Sequence, residues 1–259
     1  MKKIETILDR PVHDDLRTIT TYHRVLVLGG KGSIGQALIQ RLPNCIVTDI
    51  EEIDVRFPFT INEAQYGKID VVINLAGAKH APEGELKPHE TTLINTIGAF
   101  NAINAAKLAG AHYIQASTCK AANPETVYGA SKLIAERMTL QSGFTVARFF
   151  NVVETSGNVF EIWESQAQKI IMEGNRYFIS IDEAVGLLIA CCSFKAGRYA
   201  VNPGKIHKMM DVFNRLYVGL SALIKPLRKG DRVTELIHST SESIQPITDS
   251  IIQIKSAHD

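Results

Sequence analysis

Tyr128 and Lys132, four residues apart, are the pair in this chain whose types and spacing most directly suggest chemistry. On a helix, positions i and i+4 share one face, so the phenol and the ammonium stand together. A neighbouring ammonium stabilises a phenolate and lowers the tyrosine pKa, which makes the phenol a usable base near neutral pH. Upstream, the apolar run Tyr113 to Ser117 leads into Thr118-Cys119-Lys120. A strand there places Thr118 at its carboxyl end, where the hydroxyl can hold a substrate hydroxyl against the phenol. A Y-x-x-x-K spacing alone is common on solvated helix faces, so its weight depends on what precedes it.

What precedes it is Arg24 to Gly35, RVLVLGGKGSIG. Val25 to Leu28 form an unbroken apolar run, as a parallel strand buried on both faces requires. Gly29, Gly32 and Gly35 then make G-x-x-G-x-x-G, and Ile34, Ala37, Leu38 and Leu42 recur at helical spacing. Strand, glycine turn and helix in this order let a pyrophosphate approach backbone N–H groups at a helix N-terminus with no side chain in the way. Gly29, Lys31, Gly32, Ser33, Ile34 and Gly35 are therefore the candidate dinucleotide-binding residues. A second run, Cys45 to Thr48, ends at Asp49, 20 residues after Gly29, where such a fold places the acid that binds the adenosine ribose. That acid repels a 2′-phosphate and favours NAD, whereas Lys31 inside the turn is the cation that pairs with such a phosphate, so NADP stays open. Asp54 and Val55, at the end of a short third strand, are expected near the adenine. Leu75, Ala76 and Gly77 close the run Val71 to Leu75 and leave room for the cofactor's phosphate and ribose.

These groups need an α/β scaffold, and the spacing predicts a Rossmann-type doubly wound parallel sheet with a smaller C-terminal α/β lobe for the substrate. The expected division is an N-terminal strap at 1–22, attached through Ile7, Leu8, Pro11, Val12 and Leu16, a dinucleotide-binding domain at 23–150, and a mainly substrate-binding lobe at 151–259. A helix from about Thr91 to Ala109 is expected to turn Leu93, Ile97, Phe100, Ile103 and Leu108 to the core, with Asn95 as an inter-element hydrogen-bonding residue. Arg148, Arg176 and Arg228 are candidate diphosphate partners, because guanidinium pairs bidentately with phosphate. With 259 residues, 45% hydrophobic, 21% charged and a net charge of +1, the chain reads as one ordinary soluble globular protein. It has no basic run for nucleic acid and no apolar stretch long enough to span a bilayer. Charged residues follow Met-Lys-Lys where a signal peptide would have its apolar core, so a cytoplasmic location is expected. The four cysteines, Cys45, Cys119, Cys191 and Cys192, lack zinc-ligand spacing and read as reduced thiols, so no metal site is expected.

Taken together, these residues resemble the extended short-chain dehydrogenase/reductase superfamily and, within it, the CapD-like polysaccharide-biosynthesis branch that contains UDP-N-acetylglucosamine 4,6-dehydratases. Gly29 to Gly35 is similar to the branch's GGGGSIG, Gly77 to Pro82 to AALKHVP, and Asn95 to Gly98 to N-x-x-G. Ser117 to Lys132 is similar to STDKAVNPTNVYGASK over nearly its whole length. Arg148 to Val152 resembles RFGNV, Arg176 to Phe178 resembles RYF, Leu227 to Asp231 resembles RPGEK, and Leu8 to Val12 resembles the segment that precedes the fold. The resemblance covers roughly residues 7 to 245.

The resemblance implies an enzyme in which Tyr128 and Lys132 oxidise a nucleotide sugar at carbon 4, with hydride passing to a recycled NAD. The ketone acidifies the proton on carbon 5, Lys120 takes that proton, its acidic neighbour assists loss of the carbon 6 hydroxyl, and the hydride returns to carbon 6. It also implies that Thr118 orients the substrate, that Lys79 and His80 line the substrate site, and that Asn151, Arg176 and Arg228 hold the diphosphate of a UDP-linked sugar. A homo-oligomer paired through the helices around 91–109 and 127–141 follows from the same resemblance. This chain departs from the pattern in two places. The acidic neighbour is Cys119, a thiol with an ordinary pKa of about 8.5 that can give a proton but lacks a carboxylate's charge. The segment between Ile170 and Arg176 is shortened, which suits a different or smaller substrate. Carbon 4 or carbon 5 epimerisation, or reduction without water loss, therefore stands beside dehydration. A non-catalytic NAD(P)-binding sensor is the reading from another class, and the joint presence of Thr118, Lys120, Tyr128 and Lys132 favours the enzyme.

Overall fold

The apolar runs become strands in the computed structural model, which describes residues 2–227 and 231–257. They are β1 (Val25–Leu28), β2 (Ile46–Thr48), β3 (Val71–Asn74), β4 (His112–Thr118) and β5 (Thr145–Phe149). One eight-stranded sheet runs in the order Glu242–Pro246, Ile251–Ser256, Gly197–Val201, β5, β4, β3, β1, β2. Pairing is parallel from β2 through Gly197–Val201, and the last two strands add in antiparallel fashion. The chain winds outward from β1 to β2 and then crosses to β3 on the other side. The carboxyl ends of β1 and β3 therefore flank the switch point where doubly wound sheets bind ligands.

Side chains alternate across the strands, and both faces are covered. Val25, Val27, Val71 and Ile73 pack against Leu38 and the Ile181–Cys191 helix residues Ala184 and Leu188. Leu26, Leu28 and Val72 pack against Ala102, Ile103 and Ala106 of the Gly98–Leu108 helix. A third cluster, around Trp163, Phe160, Phe178 and Phe213, belongs to residues after 150 and takes in Ile7 and Leu8 from the N-terminal strap. Leu16 of the same strap sits in the main core, so the strap joins both packing units. Among the described residues no helix is long and apolar enough to cross a membrane.

Four expectations change. Residues after 150 do not form a separate lobe alone, because Gly197–Val201, Glu242–Pro246 and Ile251–Ser256 return to the main sheet. There is no third strand ending at Asp54: residues 51–56 contain turns, and the Asp54 carboxylate grips Arg56 at 2.6 Å. In the helical run from Pro88 to Leu108, Ile97, Phe100 and Leu108 are exposed, and small Ala99, Ala102 and Ala106 lie beneath with Ile103. The π-helical turn Leu93–Ile97 explains the change of face. One extra residue in an i→i+5 turn rotates everything after it by about 100°, so a single helical period cannot be carried across it.

Arg148 is the fourth change. It is wholly buried on β5 and faces no diphosphate site. Its Nε and Nη2 donate to Glu136 at 2.9 and 2.6 Å, and its Nη1 and Nη2 donate to Glu242, both at 2.9 Å. Arg198 completes a tetrad, with Nε 2.8 Å from Glu136 and Nη1 3.1 Å from Glu242. Burial opposes charge on both glutamates, yet the two arginines outweigh it: Glu136 is held below the usual carboxylate range and Glu242 falls to about 2.

Glu136→Gln leaves two buried guanidinium groups short of countercharge and should cost about 3–5 kcal/mol in urea-induced unfolding. Because both carboxyls titrate lower in the folded protein, their stabilisation is complete above the unfolded value of about 4.3. It should be lost as pH falls from there through the folded values, toward about 2 for Glu242. Thermal melts across that window should be steep for the parent and flatter for Glu136→Gln.

Candidate active site

The switch point opens into a cavity of about 630 Å³. Its floor is the glycine turn. Gly29 has φ +73° and backs onto Ala76, whose nitrogen would lie 2.6 Å from an added Cβ, so no larger residue fits between the ends of β1 and β3. A Cβ on Gly32 would meet nothing closer than the Gly29 carbonyl oxygen at 3.8 Å, so the free space at Gly32 belongs to the cavity it lines. The helix Ser33–Arg41 starts there with Gly32 as its N-cap and no side-chain cap, which leaves its first N–H groups free for an anion. Ser33, Ile34 and Gly35 line the same wall. Ser156 closes over it, its N–H reaching the Ser33 Oγ at 3.0 Å and its carbonyl accepting from Lys79 Nζ at 3.0 Å.

At the far end Asp49 lines the cavity at the exit of β2, its carboxylate accepting from the N–H groups of Lys31 and Ile50 at 2.9 and 2.8 Å. Asp54 and Val55 stand opposite, with Asp54 already engaged by Arg56. Leu75, Ala76 and Gly77 form the side that follows β3. Asn74 shapes that exit, accepting from the Ala76 N–H at 3.1 Å and donating to the Tyr113 hydroxyl at 2.9 Å. An uncapped helix start, a cradle without side chains and a carboxylate across the cavity fit a dinucleotide. Lys31 is the exception among the turn residues. It does not line the cavity, and its Nζ donates to Glu51 at 2.7 Å on the exposed surface.

Thr118, Tyr128 and Lys132 meet on the wall formed by β4 and the helix Val127–Gln141. Thr126 caps that helix by accepting from the Gly129 N–H at 3.1 Å. Asn95, in the π-helical turn, ties the wall together: its Oδ1 accepts from Ala78 N at 2.9 Å and its Nδ2 donates to Ser131 Oγ at 3.0 Å. The Lys132 Nζ donates to the Ala116 carbonyl at 3.2 Å, and burial lowers its pKa to about 8 against the opposing pull of Glu136 one turn on. Gly77 keeps this lysine in reach, since a Cβ there would lie 2.9 Å from Nζ. Burial pushes the Tyr128 phenol up, and the groups that pull it back are Lys120 and the hydroxyl of Thr118. Lys120 thus adds a positive charge that acts on the phenol, beside the Lys132 that shares its cavity. Lys132 has turned toward β4 and the Gly77 side of the cavity.

Lys79 and His80 reach the main cavity, whereas Cys119, Lys120, Asn151 and Arg176 do not. Cys119, Lys120 and Arg176 line a separate small cavity of about 30 Å³, together with Glu235. The Cys119 thiol is buried and pushed up to about 12 by that burial, with Glu235 adding to the rise. Asn151 points away from the main cavity, its Nδ2 bonded to Glu235 at 2.7 Å and to the Tyr177 carbonyl at 2.8 Å. Arg176 donates to the carbonyls of Asn175 and Arg232 at 3.0 and 2.9 Å and faces Glu235 at 3.5 Å. Arg228 lies outside the described residues. Two carboxylates were missed from sequence. Glu136 carries a signal in hindsight, four residues after Lys132 on the same helix face. Glu235 carries none, because its partners are 58 to 115 residues distant.

The model of a family described as polysaccharide biosynthesis protein matches residues 47–255. An uncharacterized membrane protein of Methanocaldococcus jannaschii is 32% identical over 67% of this chain, and the chain spans 64% of that relative's length. A UDP-N-acetylglucosamine 4,6-dehydratase (inverting) of Campylobacter jejuni is 26% identical over 85% of this chain and 78% of its own. Among solved structures, Pen from Bacillus thuringiensis superposes with a TM-score of 0.74 at 23% identity, covering 93% of this chain and 90% of that one.

The two glycines should respond differently to alanine. Gly29→Ala should cost more than about 1–2 kcal/mol, since it adds a clash with Ala76 to a left-handed backbone. Gly32→Ala should melt like the parent yet lose at least tenfold in NADH affinity by fluorescence titration, because its methyl group fills only the cradle.

Proposed function

This chain belongs to the polysaccharide biosynthesis protein family, in the CapD-like branch of the extended short-chain dehydrogenase/reductases, and on that premise we propose that it is an NAD(P)-dependent nucleotide-sugar dehydratase or epimerase. The observation that carries the reading is the convergence of Thr118, Tyr128 and Lys132 on one cavity with the glycine cradle. The substrate class that fits best is a UDP-linked N-acetylhexosamine, oxidised first at carbon 4.

In this reading Gly29, Gly32, Ser33, Ile34 and Gly35 hold the cofactor's pyrophosphate at the helix start, Asp49 takes the adenosine ribose, and Val55, Leu75, Ala76 and Gly77 form the walls. Asp49 in the cavity supports NAD over NADP, because its carboxylate repels a 2′-phosphate. When bound, a nicotinamide supplies a reversible hydride acceptor. Thr118 orients the carbon 4 hydroxyl by hydrogen bonding, and Tyr128 takes the proton from that oxygen. Phenolate formation is resisted by burial and helped by the positive charge of Lys120. Lys132, with its pKa at about 8, is part ammonium and part amine near neutral pH and can pass a proton along the wall beneath Tyr128. Lys79 and His80 face the sugar-nucleotide end of the cavity.

Cys119 favours epimerisation as the second reading. Its thiol keeps its proton at neutral pH and sits at the small cavity, so it offers neither charge nor a carboxyl group to a departing hydroxyl. Ile97 and Phe100, and Ile134 on the Val127–Gln141 helix, are exposed, which supports assembly of two copies through these helices.

Incubation with UDP-N-acetylglucosamine in heavy water, read by mass spectrometry and proton NMR, tests the reaction. Loss of one water with deuterium at carbon 5 identifies a dehydratase, retained mass with inverted carbon 4 identifies a carbon 4 epimerase, and one added deuterium with inverted carbon 5 and no water loss identifies a carbon 5 epimerase. An unchanged sugar and unchanged bound cofactor across UDP-linked sugars defeats both. Tyr128→Phe should lower turnover by about 10²–10⁴-fold with NADH affinity unchanged. Light scattering should give a dimer for the parent and a monomer for Phe100→Asp.

A further inference from the structure

We propose that Glu235 is a positioning carboxylate of this active site: from the far end of the chain it holds Lys120 in place, supplying the acidic partner that the adjacent position, Cys119, lacks. The proposal rests on the reading of Lys120 as an active-site group. Glu235 is almost wholly buried, and each of its side-chain oxygens has two partners. Oε1 lies 3.5 Å from Lys120 Nζ and 3.5 Å from Arg176 Nε. Oε2 accepts from Asn151 Nδ2 at 2.7 Å and from the Tyr177 N–H at 3.3 Å. An ammonium, a guanidinium, a carboxamide and a backbone N–H thus converge on one carboxylate.

The backbone fixes that carboxylate in place. Asn175 N donates to the Val233 carbonyl at 2.6 Å, and Glu235 N donates to the Asn175 carbonyl at 3.1 Å, so the segment is bridged to the Asn175–Arg176 strand on both sides of Thr234. Arg232 anchors the same segment to the loop that carries Lys120, donating to the Ala122 carbonyl at 2.7 Å and to Glu125 at 2.9 Å. The charged and titratable groups around Lys120 are Cys119 and Glu125 on its own segment, Tyr128 on the next helix, Arg176, and Asp231, Arg232 and Glu235 on the C-terminal segment. Burial works against the Lys120 charge, but Glu235 outweighs it and holds the ammonium above its ordinary range. Without a carboxylate beside it, Lys120 is left to burial, which favours the neutral amine.

The test follows the proton on Lys120 and needs no turnover, so it stands apart from the choice of reaction. Lys120 is 34% exposed and open to a small acylating reagent. The pH dependence of its acylation by acetic anhydride is measured by peptide mass spectrometry in the parent, in Glu235→Gln and in Cys119→Asp/Glu235→Gln, with thermal melts as the control for folding. Lys120 should resist acylation through neutral pH in the parent. In Glu235→Gln its reactivity profile should move down by at least about one pH unit, a tenfold gain in rate at fixed pH, and in the double variant it should move back. An unmoved profile in a folded Glu235→Gln overturns the proposal, as does a double variant that stays reactive. Should Glu235→Gln fail to fold, the double variant decides alone: a cooperative melt with a protected Lys120 supports the proposal, and absence of either defeats it.

Discussion

Two arginines and two glutamates buried together beneath the sheet set the constraint on which the site depends. Each charge taken out of water costs several kcal/mol unless it is fully paired, so the tetrad tolerates little displacement of any member. Glu136 stands one turn beyond Lys132 on the helix that carries Tyr128. Arg148 and Arg198 come from neighbouring parallel strands, and Glu242 begins the outermost strand. The pairing therefore locks the helix in rotation and height against the sheet and draws in a strand distant in sequence. Apolar packing could hold these elements with equal strength, but it would constrain the helix's rotation less sharply than charge pairing does.

That constraint has a consequence for the lysines. Glu136 acts weakly on Lys132, because the arginines already claim it, and burial prevails. Lys120 stands on the other side of the phenol with Glu235 of its own and keeps its charge. Two lysines that look alike in composition are therefore shifted in opposite directions from the ordinary value, and the difference comes from which carboxylate is free to face each one.

The two cavities divide the chemistry in the same way. The main one joins the glycine cradle to Thr118, Tyr128 and Lys132, all on the ends of parallel strands and the helices that follow them. The small one gathers Cys119, Lys120, Arg176 and Glu235, three of them from elements whose order in the chain gives no hint of contact. Asn151 and Arg176, the residues expected to grip a diphosphate, are committed there to an internal carboxylate.

Much of the scaffold was legible in the residues themselves. Val25 to Leu28 and Val71 to Asn74 could only be buried parallel strands, the glycines that follow could only be a turn approached by backbone or ligand, and the spacings to Asp49 and from Tyr128 to Lys132 are local consequences of strand and helix geometry. Periodicity also misled where it was broken locally, as the π-helical turn did for Phe100 and the Asp54–Arg56 pairing did for a third strand. What the tertiary structure alone decided is which charges meet. Arg148 finds Glu242 across 94 residues and Lys120 finds Glu235 across 115. Electrostatic partnership depends on distance in space and on exclusion of water, and neither is written in the order of the chain.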